Sequence, residues 1–276
     1  MKSYLRTKDF SVSQEEFELF HDEDLDMLVT KPRPNNLDRY YESEAYISHT
    51  DSKKSFVDKI YQLVKSYSLK RKVSLLNSFK PSEKTILDIG AGTGDFLAAA
   101  KKSDWKVNGV EPNSAARNKA NKKGIVLFSD LNEVSNKKFQ IITLWHVLEH
   151  LPDLENQIAS IVSLLDENGT LVIAVPNFKS YDAEHYEKFW AAYDVPRHLW
   201  HFSKQSIQKL FEKHKMEMVK TKPMLFDSFY VSLLSEKYKT GKQNFIKAFF
   251  NGLKSNLRAN STKEYSSHVY ILRKSI

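Results

Sequence analysis

Thr85-Ile86-Leu87-Asp88-Ile89-Gly90-Ala91-Gly92-Thr93-Gly94-Asp95-Phe96-Leu97 decides the fold. A short apolar run meets an acid, then glycines at every second position, then a helical pattern. That order describes a buried parallel strand feeding a tight turn and a helix N-terminus. Glycine supplies the dihedral freedom such a turn needs and lets a ligand come close to the backbone. Exposed N–H groups and the helix dipole favour a negatively charged group there. The spacing Gly90-x-Gly92-x-Gly94 lacks the third glycine position of the dinucleotide fingerprint, which counts against a pyrophosphate site and against nicotinamide chemistry.

Outward from this turn, strands and helices alternate. Strand-like runs lie at Thr85–Ile89, Lys106–Val110, Ile125–Phe128, Phe139–Leu144 and Thr170–Val175, with helical patterns at about 95–103, 113–123 and 153–166. The alternation predicts an α/β fold built on a doubly wound parallel sheet. Upstream, a helix is expected over about 52–79, with Phe56, Ile60, Leu63, Val64, Tyr67 and Val73 spaced for one apolar face and Pro81 closing it. Residues 1–50 read as irregular, punctuated by Lys31-Pro32-Arg33-Pro34. After Pro176-Asn177 an aromatic, histidine-rich loop runs to about 202, and Ser203 can cap a helix at 204–214. A strand near Met216–Thr221, helical segments at about 228–238 and 243–257, and a last strand at His268–Arg273 complete the chain.

Two acids follow the glycine turn in a telling order. Glu111, in Gly109-Val110-Glu111-Pro112, ends the second strand 23 residues after Asp88. A carboxylate there can accept from both hydroxyls of a ribose. Asp130, in Leu127-Phe128-Ser129-Asp130-Leu131, follows the third strand, where it can accept from an adenine amino group while Leu131 packs on the ring. Taken singly, Asp88 also reads as a helix-capping acid, Glu111 as a turn acid and Asp130 as an N-cap. Their joint occurrence in this order is what argues for a site.

The glycine turn resembles motif I of class I S-adenosylmethionine (SAM) methyltransferases. Leu144-Trp145-His146-Val147-Leu148-Glu149-His150-Leu151-Pro152-Asp153 and Gly169-Thr170-Leu171-Val172-Ile173-Ala174-Val175-Pro176-Asn177 look like the matching segments of the ubiquinone-biosynthesis-like group. The resemblance covers about residues 80–180. It implies a Rossmann-like sheet of seven strands, mostly parallel with the last antiparallel, an N-terminal helical extension and a helical insertion before the last strand. It also implies a SAM site made of Asp88, Gly90, Ala91, Gly92, Gly94, Glu111, Pro112, Asp130, Leu131, Trp145 and His146. The expected plan is an N-terminal extension (1–50), a helical segment (51–80) and a methyltransferase domain (81–276) with an acceptor-side loop (178–202) and a helical insertion (228–260). The flanks Asn36–His49 and Asp194–Ser203 resemble a bacterial branch that often carries a zinc ribbon just before a Thr-x-Pro-Arg-Pro sequence, here Thr30-Lys31-Pro32-Arg33-Pro34. The expected cysteine positions hold Asp22 and Leu25, and the first pair is absent, so zinc binding at that ribbon is excluded.

Composition bounds the rest. The 276 residues, 41% apolar and 12% aromatic, suit one substantial domain with embellishments, and no cysteine means no disulfide, thiolate zinc site or cysteine nucleophile. The start has no apolar signal core, and no stretch approaches the roughly 20 apolar residues of a membrane span, so a cytoplasmic protein is expected. The formal charge is +8 and the pI about 9.2. It is unevenly spread: Asp9 to Asp26 holds eight acids and no Lys or Arg, whereas Ser52 to Lys84 holds nine bases against Asp58 and Glu83. Such a basic surface can serve nucleic acid, acidic lipid or phosphorylated small molecules, or be a solvated lysine-rich helix face. There is no recognisable RNA-binding module.

Methyl transfer from a sulfonium needs alignment and water exclusion, and a base only where the acceptor must lose a proton. His146, at the carboxyl end of the fourth strand, is the first candidate base, with His198 beside it as a candidate catalytic residue. Tyr41, His150, Tyr193, Arg197 and His198 are the candidate acceptor contacts. Arg197 can hold a carboxylate or phosphate bidentately, or simply brace its loop. Tyr40, Tyr41 and Tyr46 can close over the SAM site or simply pack against the long helix. Glu149 and His150 offer metal-ligand chemistry, but two such residues one apart do not define a site, and no metal is expected. The aromatic insertion reads as a lid, as core or as a dimer contact. The reading is a SAM-dependent methyltransferase, monomer or homodimer, acting on a small-molecule acceptor such as a sugar, lipid-linked or phenolic hydroxyl. An RNA methyltransferase and a non-catalytic SAM-binding scaffold are the alternatives.

Overall fold

The chain opens with strands, not with irregular coil. The computed structural model describes residues 1–41 and 56–275, with the side chains of residues 38 and 56–61 outside that description. Tyr46, the 42–49 flank and the start of the long helix therefore lie outside the described residues. β1 (Lys2–Lys8), β2 (Glu16–Asp22) and β3 (Met27–Lys31) form an antiparallel meander. The expectation of irregularity is corrected by period-two alternation inside the acidic stretch: Phe17 and Leu19 are buried while Glu16 stays exposed and Glu18 half-buried. Carboxylates organise both turns. Asp9 accepts from the N–H groups of Ser11, Val12 and Ser13 at 3.1, 3.2 and 2.8 Å, and Asp22 accepts from Leu25 N–H at 3.0 Å.

The long helix α1 (Phe56–Ser78) leads into β4 (Thr85–Ile89), the glycine turn and α2 (Asp95–Lys101). Then come β5 (Lys106–Val110), α3 (Ser114–Asn121), β6 (Phe139–Trp145), α4 (Leu154–Ser163) and β7 (Leu165–Pro176). A loop region with α5 (Tyr181–Tyr186) reaches β8 (Trp200–His201) and α6 (Lys204–Glu212), whose N-cap Ser203 accepts from Ser206 N–H. β9 (Met216–Pro223), α7 (Asp227–Thr240), α8 (Phe245–Thr262) and β10 (Ser267–Lys274) finish the fold.

Among the described residues the main sheet has six strands in the order β5-β4-β6-β7-β10-β9. The first four are mutually parallel, and β10 runs antiparallel to both neighbours. The seventh strand expected at 125–128 is reduced to one bridge, Val110↔Phe128. Val126 there is 77% exposed. The capping box at Asp130 and Glu133 then pulls the chain into a 3-10 turn, so the edge pairing cannot continue.

Side chains alternate between two cores. Leu87, Ile89, Ile142 and Leu144 face Ile158, Ile161, Leu210 and Phe211, while Ile86, Ile141 and Val172 face Leu76, Leu97 and Trp105. Val73 and Leu76 of α1 are buried, but Leu63 and Tyr67 of the expected apolar face are exposed. A third core joins the N-terminal meander to the 178–195 region through Phe17, Leu19, Tyr186, Trp190 and Tyr193. β8 completes that union by pairing with β3.

Candidate active site

All three turn glycines have left-handed φ, +69° at Gly90, +54° at Gly92 and +72° at Gly94. A Cβ on Gly90 would stand 2.4 Å from Val147 Cγ2, and one on Gly94 2.9 Å from Ala120 Cβ. Gly92 differs: nothing lies within 4 Å of its Cβ position, so this glycine fronts open space. Gly90 and Ala91 donate their N–H groups to the Val110 carbonyl at 2.8 and 3.0 Å, which ties the turn to β5.

Glu111 sits across that space. Its Oε2 accepts from Gly92 N–H at 2.8 Å and its Oε1 from Asn113 N–H at 2.9 Å. Arg117 Nη1 donates to the carbonyls of Glu111 and Pro112, both at 2.7 Å, fixing the turn that carries the carboxylate. Asp130 caps the 3-10 turn, with Oδ1 accepting from Asn132 N–H at 2.8 Å, while Leu131 packs half-buried against the core. Asp130 thus has the capping role that sequence alone left as one of two readings.

Beneath the turn, Asp88 is buried, and Thr143 donates its hydroxyl to Oδ1 at 2.6 Å. Burial pushes the Asp88 carboxyl up to about 7 against the pull of Thr143 and the Lys72 charge. Lys72 is a residue that sequence reasoning missed. Its ammonium lies 4.2 Å over the Trp145 ring, and burial lowers it to about 8 while Asp88 and Asp227 hold it up. Phe96 meets Trp145 edge-on at 5.7 Å.

At the end of β6, His146 adopts a left-handed φ of +57°. Its Nε2 lies 3.1 Å from Asp227 Oδ2 and its Nδ1 3.4 Å from Glu149 Oε1. Burial opposes the charge, but the two carboxylates override it and lift His146 to about 10. A protonated imidazole with both nitrogens engaged is an ion-pair partner, which corrects the expectation of a free base in this conformation. Asp227, the first residue of α7, had no motif to announce it.

Glu149, His150 and His198 converge. Each offers one ligand atom, and these atoms lie within 4.8 Å of one another. Both Glu149 oxygens are buried with no hydrogen-bond partner, although burial is overcome by His146 and the neighbouring histidines, which hold its carboxyl below the ordinary range. His150 Nδ1 lies 3.0 Å from the Arg197 carbonyl and 3.1 Å from Tyr41 Oη. His198 Nδ1 lies 2.8 Å from the Ala192 carbonyl. A carbonyl partner makes each Nδ1 the donor, which leaves Nε2 as the acceptor on both rings. The rings stand 4.5 Å apart, and burial lowers His150 to about 4. The pairing of the His150 segment with His198 joins residues 48 apart in sequence, so spacing alone could not propose it.

Three expected acceptor or closing residues lie elsewhere. Arg197 is 2% exposed and fully engaged: Nε donates to Asp194 Oδ2 at 3.0 Å, Nη1 to the Tyr40 carbonyl at 3.0 Å, and Nη2 to Asp9 Oδ1 at 2.9 Å and Asp194 Oδ1 at 2.7 Å. It braces its loop, its guanidinium buried among these partners and not turned to an acceptor's carboxylate. Tyr193 is buried against Trp190 and His201, with ring centroids 4.9 and 5.4 Å away, so it is core and not pocket wall. Tyr40 is likewise buried, in the core of the N-terminal meander. Tyr41 does reach the site, through His150.

The parallel strand order, the glycine turn and the acid at the end of β5 define a cofactor-binding α/β enzyme fold. Solved structures share it. Magnesium protoporphyrin IX methyltransferase (ChlM) from Synechocystis PCC 6803 with bound SAH superposes with a TM-score of 0.57 at 15% identity, over 86% of this chain and 97% of that one. A SAM-dependent methyltransferase from Thermotoga maritima gives 0.51 at 20% identity, over 78% and 96%. The family model described as a methyltransferase domain matches residues 59–221. The chain therefore belongs to this methyltransferase-domain family, within the class I SAM-dependent methyltransferases. Two curated relatives are both named ubiquinone biosynthesis O-methyltransferase. The one from Histophilus somni (strain 2336) is 31% identical over 118 residues, 36% of this chain and 49% of that protein. The one from Actinobacillus pleuropneumoniae serotype 7 (strain AP76) is 30% identical over 108 residues, 34% and 46%. The chain spans about half the length of the curated relatives it matches.

Proposed function

We propose that the chain binds SAM across the carboxyl ends of β4 and β5 and transfers its methyl group to a small-molecule acceptor, by O-methylation of a sugar, lipid-linked or phenolic hydroxyl. The observation that carries the reading is the Glu111 carboxylate, 2.8 Å from Gly92 N–H and facing the turn glycine with open space before it. Ribose hydroxyls entering that space meet a carboxylate already held by two backbone donors, so little side-chain freedom remains to be lost on binding. The glycine turn with Asp88 beneath it takes the methionine end. Leu131 and the second oxygen of Asp130 take the adenine.

Transfer is an in-line displacement: the acceptor oxygen bonds the methyl carbon as the carbon–sulfur bond breaks, and the sulfur loses its positive charge. Alignment and a dry site do most of the work. A hydroxyl acceptor must also give up its proton. His198 takes it in this reading, because the Ala192 carbonyl fixes the tautomer that presents Nε2 as an acceptor. His150 has the same tautomer, but burial lowers it to about 4, too far to serve as a base near neutral pH. The buried Glu149 carboxylate, which makes no hydrogen bond beyond its ion pair with His146, also fits a divalent ion together with the two histidines, and such an ion would supply Lewis acidity toward the acceptor hydroxyl.

The test is incubation with methyl-labelled SAM and a metabolite extract. Label is expected in a small molecule, abolished in Glu111→Ala and slowed about a hundredfold in His198→Asn. Label in RNA would favour the RNA methyltransferase alternative. SAM binding with no labelled product would favour the scaffold alternative.

A further inference from the structure

Helix α8 is turned inside out for a helix of a globular domain. Its buried face is small, Ala248, Gly252, Ser255 and Ala259, and it packs on α7 so closely that Ser228 Oγ donates to the Gly252 carbonyl at 3.2 Å and a Cβ on Gly252 would stand 2.9 Å from Phe229 Cα. Its large apolar residues face outward: Ile246 is 72% exposed, Phe250 62% and Leu257 60%, with Phe245, Phe249 and Leu253 beside them. At helical spacing these six occupy one arc of roughly 140°. The apolar surface runs on beyond the helix. Asn256 Nδ2 donates to the Leu225 carbonyl at 2.9 Å, bringing the exposed Leu225 and Phe226 alongside, and Phe226 meets Tyr67 of α1 at 5.5 Å.

The charge along this hairpin is predominantly positive. From Lys237 to Lys263 there are six lysines and one arginine and no acid, and all seven bases are exposed. Arg258 leans toward Glu184, 4.0 Å away, and Arg258 and Lys254 both lie over the Tyr181 ring. Lys237, Lys239, Lys242 and Lys247 flank the α7–α8 turn in sequence, on either side of Phe245 and Ile246.

We propose that the α7–α8 hairpin docks on a bilayer surface carrying anionic lipids, with the outward apolar arc in the acyl boundary and the lysines against the headgroups. Charge selects this occupant. In a symmetric dimer the same patch would face itself and set these lysines against one another. Nucleic acid would meet the lysines but leave Ile246, Leu253 and Leu257 in water. α7 begins at Asp227, 3.1 Å from His146, so docking would bring the membrane to the mouth of the site. If the methyltransferase reading holds, an acceptor carried in the bilayer can then enter directly.

Flotation of the full chain with phosphatidylcholine vesicles, with and without phosphatidylglycerol, tests the proposal. The wild type is expected to float only with phosphatidylglycerol and to be released by high salt. The pair Ile246→Glu and Phe250→Glu, and separately the pair Lys239→Glu and Lys242→Glu, should each lower partitioning at least about tenfold with the melting temperature unchanged. No flotation at low salt, or flotation indifferent to Ile246→Glu and Phe250→Glu, overturns it. So does a dimer dispersed by those two substitutions, or an RNA gel shift abolished by the lysine pair, when vesicles are not bound. SAH calorimetry on the same proteins reports on the methyltransferase reading separately, because its failure leaves a positive flotation result standing.

Discussion

Replacing Arg197 by methionine removes the guanidinium that pairs the buried Asp9 with the half-buried Asp194. The guanidinium contacts Asp9 at 2.9 Å and Asp194 at 2.7 and 3.0 Å, and it donates to the Tyr40 carbonyl at 3.0 Å. Methionine keeps much of the volume, so the loss is electrostatic. Breaking a buried pair by removing one partner costs about 3–5 kcal/mol, a large share of a total stability of about 5–15 kcal/mol. Burial alone would raise the Asp9 carboxyl, but Arg197, the Ser13 N–H and the Ser11 hydroxyl hold it down at about 2. A depressed carboxylate stabilises the fold at pH values above its ordinary 3.8 and loses that contribution as pH falls toward 2. The contribution is about 2 kcal/mol, so Arg197→Met should also move acid unfolding to higher pH. Urea unfolding followed by tryptophan fluorescence measures the stability loss at constant slope. Asp9→Asn in the Arg197→Met background should recover part of it, giving a coupling energy above about 1 kcal/mol. A loss below about 1 kcal/mol with no coupling would refute the reasoning and return Arg197 to the acceptor pocket.

Gly90→Ala combines a left-handed φ of +69° with a Cβ 2.4 Å from Val147, and should lose about 1–3 kcal/mol in thermal unfolding. Gly92→Ala keeps free space around its Cβ, so it should lose only about 1 kcal/mol from φ strain yet weaken SAH binding more than Gly90→Ala weakens it per unit of stability lost. Asp227→Asn should lower the His146 imidazole from about 10 in an NMR titration. The sign follows from linkage: a raised imidazole stabilises the fold fully below its ordinary 6.5 and loses that support between 6.5 and about 10, so the variant's stability should fall less over that window. An unchanged titration would remove Asp227 from the site.

The parts of the site legible in sequence are those written within one strand–turn–helix unit. Asp88, the three turn glycines and Glu111 were legible because a strand end and its following turn fix their relative positions locally. Arg197 was legible as a residue but not as a role, because its partner Asp9 lies 188 positions away. Lys72 was one lysine in a run of bases, and nothing local separates a half-buried ammonium over a tryptophan from a solvated one. The meander β1–β3 was hidden because glutamates on its solvent face masked the alternation of Phe17 and Leu19. The strand expected at 125–128 failed for the opposite reason: its apolar residues suit a strand, but an edge position and the Asp130 capping box leave only Phe128 paired. Tertiary context decided each of these.

The central claim is that the Gly90–Gly94 turn and Glu111 form one SAM site, and calorimetric titration of SAH into the wild type and Glu111→Ala tests it most directly. Glu111 is half-buried and holds Gly92 and Asn113 N–H groups, so the variant should remain folded. The account predicts saturable one-to-one binding by the wild type and at least about tenfold weaker binding by Glu111→Ala, the cost of losing charge-assisted hydrogen bonds to the ribose. No heat from SAH with a folded wild type, or equal affinity in the two proteins, would contradict it.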